Sequence, residues 1–290
     1  MCDEFTQADE ATLLSRRQFG VIGAGAALVA GLPGVAACAA GKAAALALTE
    51  TKVTIQTPDG TADALFVHPA KDKHPGVVMW PDIAGPREAY FQMARRLAGD
   101  GYAVLLVNQY YRSAKAPIMA TILEWRTPEG QAKLKPMIEQ ISPAGTMRDA
   151  SAFVGFLDGQ GAVDQTRGIG SNGYCMGGPF AVRTAAAVPG RVSAAASFHG
   201  ANLVNDQADS PHKLIATTKA SYLFAIATGD DVRAPGDKDA LRAAAAAAGR
   251  AAEIEVYHAE HGWCALDSPA YDAAEAERAW GRMLALFARL

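Results

Sequence analysis

"IGSNGYCMGGPFAVRTAAA" (residues 169–187) passes from a short apolar-flanked segment through a glycine-dense turn into an alanine-rich run of helical character. At its centre, Gly173-Tyr174-Cys175-Met176-Gly177-Gly178 is G-x-C-x-G between a strand pattern and a helix pattern. That is the arrangement of a nucleophile elbow, with sulfur in place of a hydroxyl. The glycines have a steric reason: the central residue is held in a strained backbone conformation, and side chains two positions either side would collide across the sharp turn. A sulfur so placed projects at a helix N-terminus, where the dipole favours a thiolate and the Met176 N–H can help bind an oxyanion. A buried structural cysteine beside a glycine-rich packing turn would read the same way, so the flanking chain has to decide.

Working outward, strand-like and helix-like patterns alternate from Lys52 onward. "KVTIQTPDGTADALFVHP" reads as a hairpin about Pro58-Asp59-Gly60. "GVVMW" (76–80) and "YAVLLVN" (102–108) are continuous apolar runs, as strands buried on both faces should be. Helices are expected over 86–98, with Pro86 in the first turn, and around Met147, Ala150, Val154 and Leu157. Residues 113–142 are chopped by Pro117, Pro128 and Pro136 and read as an insertion or cap. Strands follow at 167–172, 192–198, 220–227 and 252–257, with helices at 176–187, 236–249 and 270–289. This alternation predicts an α/β fold, a mostly parallel sheet with helices on both faces, and one domain over residues 40–290.

In such a sheet, chemistry gathers at the carboxyl ends of the strands. Cys175 stands at one end. "LFAIATGDDVRAP" puts Gly229-Asp230-Asp231 at a second, and "IEVYHAEHGWC" puts His258, His261 and Cys264 at a third. Nucleophile, acid, histidine is the chain order of α/β-hydrolases. His261 is preferred over His258, which ends the strand itself; His199, in "SFHGA", could border the pocket but reads better as structural. In this arrangement Cys175 attacks a carbonyl, a histidine relays the proton, and an aspartate orients the imidazole. Metal binding by His258, His261, Cys264 and Cys175 fits no standard zinc spacing, and no metal or cofactor is expected.

The first 39 residues read as an address rather than as fold. Arg16-Arg17 in "SRRQFG" precedes the apolar "VIGAGAALVAGL", as in a twin-arginine signal. Val35-Ala36-Ala37-Cys38 resembles a lipobox, with Cys38 as the lipid-bearing residue, and Ala37-x-Ala39 offers an ordinary peptidase site. Export to the periplasm or to a membrane anchor is the expectation. The formal net charge of the 290-residue chain is −3; removal of residues 1–37 takes away four acids and two bases and leaves −1. Neither value points to nucleic acid or an anionic membrane surface. Of the four cysteines, Cys2 and Cys38 lie in this segment, and Cys175 and Cys264 do not make a disulfide framework.

The motifs "MWPDIAG", "NQYYR", "GYCMGG", "GDDVRAP" and "HGWC…DSPAYD" together resemble the dienelactone hydrolase family, from about residue 52 to the C-terminus. The resemblance implies an α/β-hydrolase fold and a Cys-His-Asp triad of Cys175, His261 and Asp231. Asp231 is taken over Asp230 because the family pattern has a proline four residues after the acid, where Pro235 stands. Ile83 would supply the second oxyanion N–H beside Met176. Asp82 stands where the family commonly has a glutamate touching the resting cysteine, one methylene shorter here. Arg112 matches a carboxylate-binding arginine, and Tyr111 and Trp263 are placed with it and Asp82 among the substrate-binding residues. A second such arginine, four residues after the histidine, is replaced by Ala265. The expectation is an exported hydrolase of a small-molecule ester or lactone working through a cysteine acyl-enzyme. The alternatives are a thioesterase, a thiol-redox or peroxide-sensing protein using Cys175 with Cys264, and a non-catalytic binding protein.

Overall fold

The apolar runs read as strands fall in one eight-stranded sheet in the computed structural model, which describes residues 46–290. The paired arginines, the lipobox with Cys38, and Cys2 lie outside the described residues. In chain order the strands are β1 (Leu48–Thr57), β2 (Gly60–Pro69), β3 (Gly76–Trp80), β4 (Ala103–Val107), β5 (Ile169–Tyr174), β6 (Val192–Phe198), β7 (Ser221–Ala227) and β8 (Ala252–Tyr257). Their order across the sheet is β1-β2-β4-β3-β5-β6-β7-β8. β1 and β2 form the hairpin expected about Pro58-Asp59, with Thr57 opposite Gly60, and β2 pairs antiparallel to β4. Every later pairing is parallel.

Among the described residues eight α-helices connect and cover the strands: α1 (Glu88–Gly99), α2 (Pro128–Ile138), α3 (Pro143–Asp158), α4 (Gly177–Ala187), α5 (Pro211–Leu214), α6 (Thr228–Arg233), α7 (Asp237–Ala247) and α8 (Ala273–Phe287). Alternation along the strands sorts the core into two layers. Val77, Met79, Val104 and Leu106 pack with Tyr90, Met93 and Leu97 of α1 and with Met283 and Phe287 of α8. Val78, Trp80, Leu105 and Val107 face the other way, onto Phe153 and Leu157 of α3, Phe180 and Ala181 of α4, and Leu241 of α7. Trp80 closes that layer by donating from its ring N–H to the Thr184 hydroxyl at 2.9 Å.

Helix limits differ from the sequence expectations where side chains cap or divert the chain. α1 starts at Glu88 rather than at Pro86, because Arg87 is extended (φ −155°) and its side chain is used elsewhere. α8 starts at Ala273 because the Asp272 carboxylate accepts the N–H groups of Ala274 and Glu275. α6 follows β7 directly, where the sequence pattern marks only a strand end. The expected cap is a 3-10 turn at Ile122–Arg126 followed by α2, with Pro128 in its first turn. Its inner side forms a third apolar cluster around Tyr110, Ile118, Met119 and Leu134.

The strand order sets the position of the site. The chain leaves β3 for β4 on one side and returns to β5 on the other, so β3 and β5 flank the point where the connections diverge. Crevices of this kind, beyond the carboxyl ends of the strands, are where open α/β sheets bind ligands. Trp80 lies opposite Gly173 in this pairing, which brings the Pro81–Gly85 loop alongside Cys175.

Candidate active site

Cys175 occupies the turn between β5 and α4 with φ +52°, in the left-handed region that a side chain rarely adopts. Two glycines make the turn sterically feasible. A Cβ on Gly173 would lie 1.9 Å from the Gly177 carbonyl oxygen, and one on Gly177 would lie 2.6 Å from the carbonyl oxygens of both Trp80 and Pro81. The backbone is pinned by the Cys175 N–H donating to the Phe198 carbonyl at 3.0 Å and the Ala201 N–H donating to the Cys175 carbonyl at 3.1 Å. The side chain remains partly exposed.

His261 lies in the loop after β8 and is hydrogen-bonded to Cys175. His258, at the end of the strand, is exposed. The Nδ1 of His261 stands 2.8 Å from Oδ2 of Asp230, so sulfur, imidazole and carboxylate form one hydrogen-bonded run. The acid differs from the sequence expectation. Asp231 is paired instead with Lys238, whose Nζ lies 2.6 and 2.8 Å from its two oxygens. The reason is α6. Successive residues of a helix point about 100° apart, so one turn at the end of β7 aims residue 230 at His261 and residue 231 at α7. Arg233 forms an ion pair with the other Asp230 oxygen. Burial opposes charge on His261, but its interactions with the Cys175 sulfur and the Asp230 carboxylate outweigh it and hold the imidazole up to about 10. The stabilisation from this raised value is complete below the ordinary 6.5 and is lost as pH rises through about 10.

His199, read from the sequence as better suited to a structural place bordering the pocket, packs directly behind His261. It sits at φ +39°, fully buried, with its ring edge-on to His261 at 4.8 Å and to Trp263 at 5.1 Å between centroids. Burial, and then the neighbouring His261, keep it neutral by pushing its pKa well below the usual histidine range. No local sequence signal marks it beyond its place at a strand end.

The two residues expected to donate to an oxyanion are neighbours. The Tyr110 hydroxyl lies 2.7 Å from the Ile83 carbonyl oxygen and 3.4 Å from the Met176 sulfur, joining the loop after β3 to the elbow. Asp82 is not available to the resting sulfur in the expected way. Its two oxygens take Nη1 and Nη2 of Arg87 at 2.6 and 2.9 Å, and Oδ1 also accepts the Ala84 N–H. The same guanidinium reaches Asp267 at 2.7 and 2.8 Å, and Asp267 accepts the Ile122 N–H at 3.0 Å. Arg87 is completely buried. Burial works against the Asp267 charge, but Arg87 outweighs it and leaves that carboxyl below the usual range.

The other residues expected to bind substrate are engaged within the chain. Arg112 places both Nη atoms on Asp149 (2.8 and 2.9 Å) and Nη2 on Asp59 at 2.6 Å, and it lies over the Tyr111 ring. The Tyr111 hydroxyl donates to Asp149 and lies 2.7 Å from the Thr57 hydroxyl. Both side chains therefore fasten the β1–β2 hairpin to α3. Trp263 is fully buried, stacked on Tyr257 behind His199, with no surface to offer a substrate. Cys264 is a buried free thiol, pushed well up by desolvation, on the wall of a cavity of about 50 Å³ shared with Tyr174, Phe198 and Trp280. Among the described residues no three His, Cys, Asp or Glu side chains are grouped so as to hold a metal ion.

Comparison with known proteins gives a consistent assignment. Residues 62–290 match the model of the "Dienelactone hydrolase family". A Methylorubrum extorquens protein described as "Putative carboxymethylenebutenolidase" is 29% identical over 240 residues, covering 81% of this chain and 78% of that protein. The Rhodococcus opacus "Carboxymethylenebutenolidase" is 28% identical over 151 residues, 50% of this chain and 54% of that protein. Among solved structures, a Klebsiella pneumoniae "Putative Dienelactone Hydrolase" superposes with a TM-score of 0.73 at 24% identity, covering 84% of this chain and all of that one. At that identity the likeness speaks for the fold.

The geometry makes a titration prediction. By NMR, the His261 imidazole should titrate near 10, fall markedly in Asp230→Asn, and stay high in Asp231→Asn. A fall in the second variant and none in the first would restore Asp231 as the partner.

Proposed function

The chain belongs to the dienelactone hydrolase family, and from that premise we propose that it hydrolyses a carboxylic ester or lactone through a covalent acyl group on Cys175. The observation that carries this reading is the hydrogen-bonded run from Cys175 through His261 to Asp230 at the carboxyl edge of the sheet. In the proposed cycle the Cys175 sulfur, as a thiolate beside protonated His261, attacks the substrate carbonyl carbon. The carbonyl electron pair moves to oxygen, where the N–H groups of Met176 and Ile83 would receive it. On collapse the C–O bond breaks and His261 gives its proton to the departing alkoxide, leaving a thioester. Water then attacks, losing a proton to His261, and the carbon–sulfur bond breaks to return the thiolate. Asp230 holds the imidazole with Nδ1 protonated throughout.

The test is kinetic, on an aryl ester. Cys175→Ala should lower kcat by at least about 10³-fold, since the nucleophile is gone. Asp230→Asn should lower it by roughly 10³ to 10⁴-fold by misorienting the imidazole, while Asp231→Asn leaves turnover close to the parent's. Undiminished hydrolysis by the alanine variant would remove the acyl-enzyme mechanism altogether.

The proposal includes export by the twin-arginine route, supported by Arg16-Arg17 ahead of an apolar run, with lipid attachment at Cys38 as one of two processing outcomes. The route delivers proteins already folded, so the Cys175 thiol would be enclosed in its site before meeting an oxidising compartment. Replacement of both arginines by lysine should leave folded protein in the cytoplasm. Continued export of that variant would contradict the assignment, and lipid labelling lost in Cys38→Ser would choose between the two outcomes.

A further inference from the structure

We propose that the site takes an uncharged ester or lactone whose hydrocarbon portion packs beneath the cap, and that it discriminates against carboxylate-bearing substrates. This rests on the acyl-enzyme reading above and specifies its substrate class.

The first observation is where the apolar surface lies. Ile83 and Met176, the two residues expected to donate to an oxyanion, are partly exposed members of the same cluster as the cap. Ile122, Trp125, Met137 and Ile138 join them from the cap, also only partly buried. The residues flanking the elbow thus share one apolar cluster with the cap. Of the ionised side chains of α2, Glu129 and Lys135 are exposed, as is the flanking Glu139, while Lys133 is tied down by donating to the Ile118 carbonyl. An amphipathic cap whose apolar side packs with the residues flanking the nucleophile suits hydrocarbon.

The second observation is the state of the nearby cations. Arg112, the residue a carboxylate-binding role would need, is already bound to Asp59 and Asp149, two carboxylates of its own chain. Position 265, four residues beyond His261, is a fully buried alanine. Arg87 is enclosed between Asp82 and Asp267, so one guanidinium serves two carboxylates and the cluster keeps a net negative charge beside the oxyanion loop. A substrate carboxylate entering this site would lose water and face hydrocarbon and a like charge, with Arg112 and Arg87 already paired within the chain. Desolvation of that kind is costly without a partner.

The experiment compares p-nitrophenyl pentanoate with p-nitrophenyl hydrogen glutarate, whose acyl chains have the same length and differ in a terminal carboxylate. Each is measured with the parent protein, Cys175→Ala and Arg112→Gln. The ratio of kcat/KM values is independent of the fraction folded. The neutral ester should be favoured at least tenfold, and the ratio should be unchanged in Arg112→Gln. A ratio near one, or a preference for the glutarate that disappears in Arg112→Gln, would overturn the substrate class while leaving the mechanism intact. Turnover that survives in Cys175→Ala, or no turnover of either ester by the parent, would instead bring down the acyl-enzyme reading on which the inference stands.

Discussion

The arrangement depends on one tight turn. Cys175 is held in left-handed backbone geometry between a buried parallel strand and the helix that follows it. Such a conformation costs on the order of 1–3 kcal/mol and persists only where its surroundings over-determine it. Here they do so. Gly177 touches the backbone at the end of β3, Gly173 touches Gly177, and hydrogen bonds to Phe198 and from Ala201 fix the turn against β6 and its loop. The strained residue is thus clamped by three strand ends at once. The same clamp brings the loop after β3, with Ile83, beside the sulfur.

A second constraint holds the loops that surround the sulfur. Arg87 joins Asp82 in the loop after β3 to Asp267 in the loop after His261, and Asp267 in turn holds the start of the cap through the Ile122 N–H. Three segments far apart in sequence therefore meet on one buried guanidinium. Bidentate geometry suits arginine for this, since its planar fork meets two carboxylates in fixed directions where a lysine would offer a single point charge. The outlay is electrostatic. Asp82 and Arg87 are buried and Asp267 is partly exposed, so removal of the base would strand the Asp82 carboxylate in a low-dielectric interior.

Much of this was legible in the sequence. Continuous apolar strands, punctuated helices and the glycine spacing around Cys175 gave the architecture and the elbow, because those signals are local and repeat with the period of the element. His261 was separable from His258 by its place beyond the strand. The acid was not separable in the same way. Asp230 and Asp231 are adjacent, and the choice depends on rotation about a six-residue helix too short to carry a periodic signal. Arg112 and Tyr111 looked available because their partners are distant in the chain: Asp149 lies 37 residues beyond Arg112, and Asp59 lies 53 before it. A sequence reveals that an arginine is present, but long-range pairing decides whether its charge is already used.

The central claim is that Cys175 carries the acyl group during turnover. Its most direct measurement is rapid acid quenching of the protein with an aryl ester, followed by intact mass and peptide mapping. The account predicts one added acyl mass, on the peptide containing Cys175, accumulating when deacylation is slowed and absent from the Cys175→Ala protein. An acyl group found on another side chain, or ester hydrolysis at full rate with no adduct in any quenched sample, would contradict it.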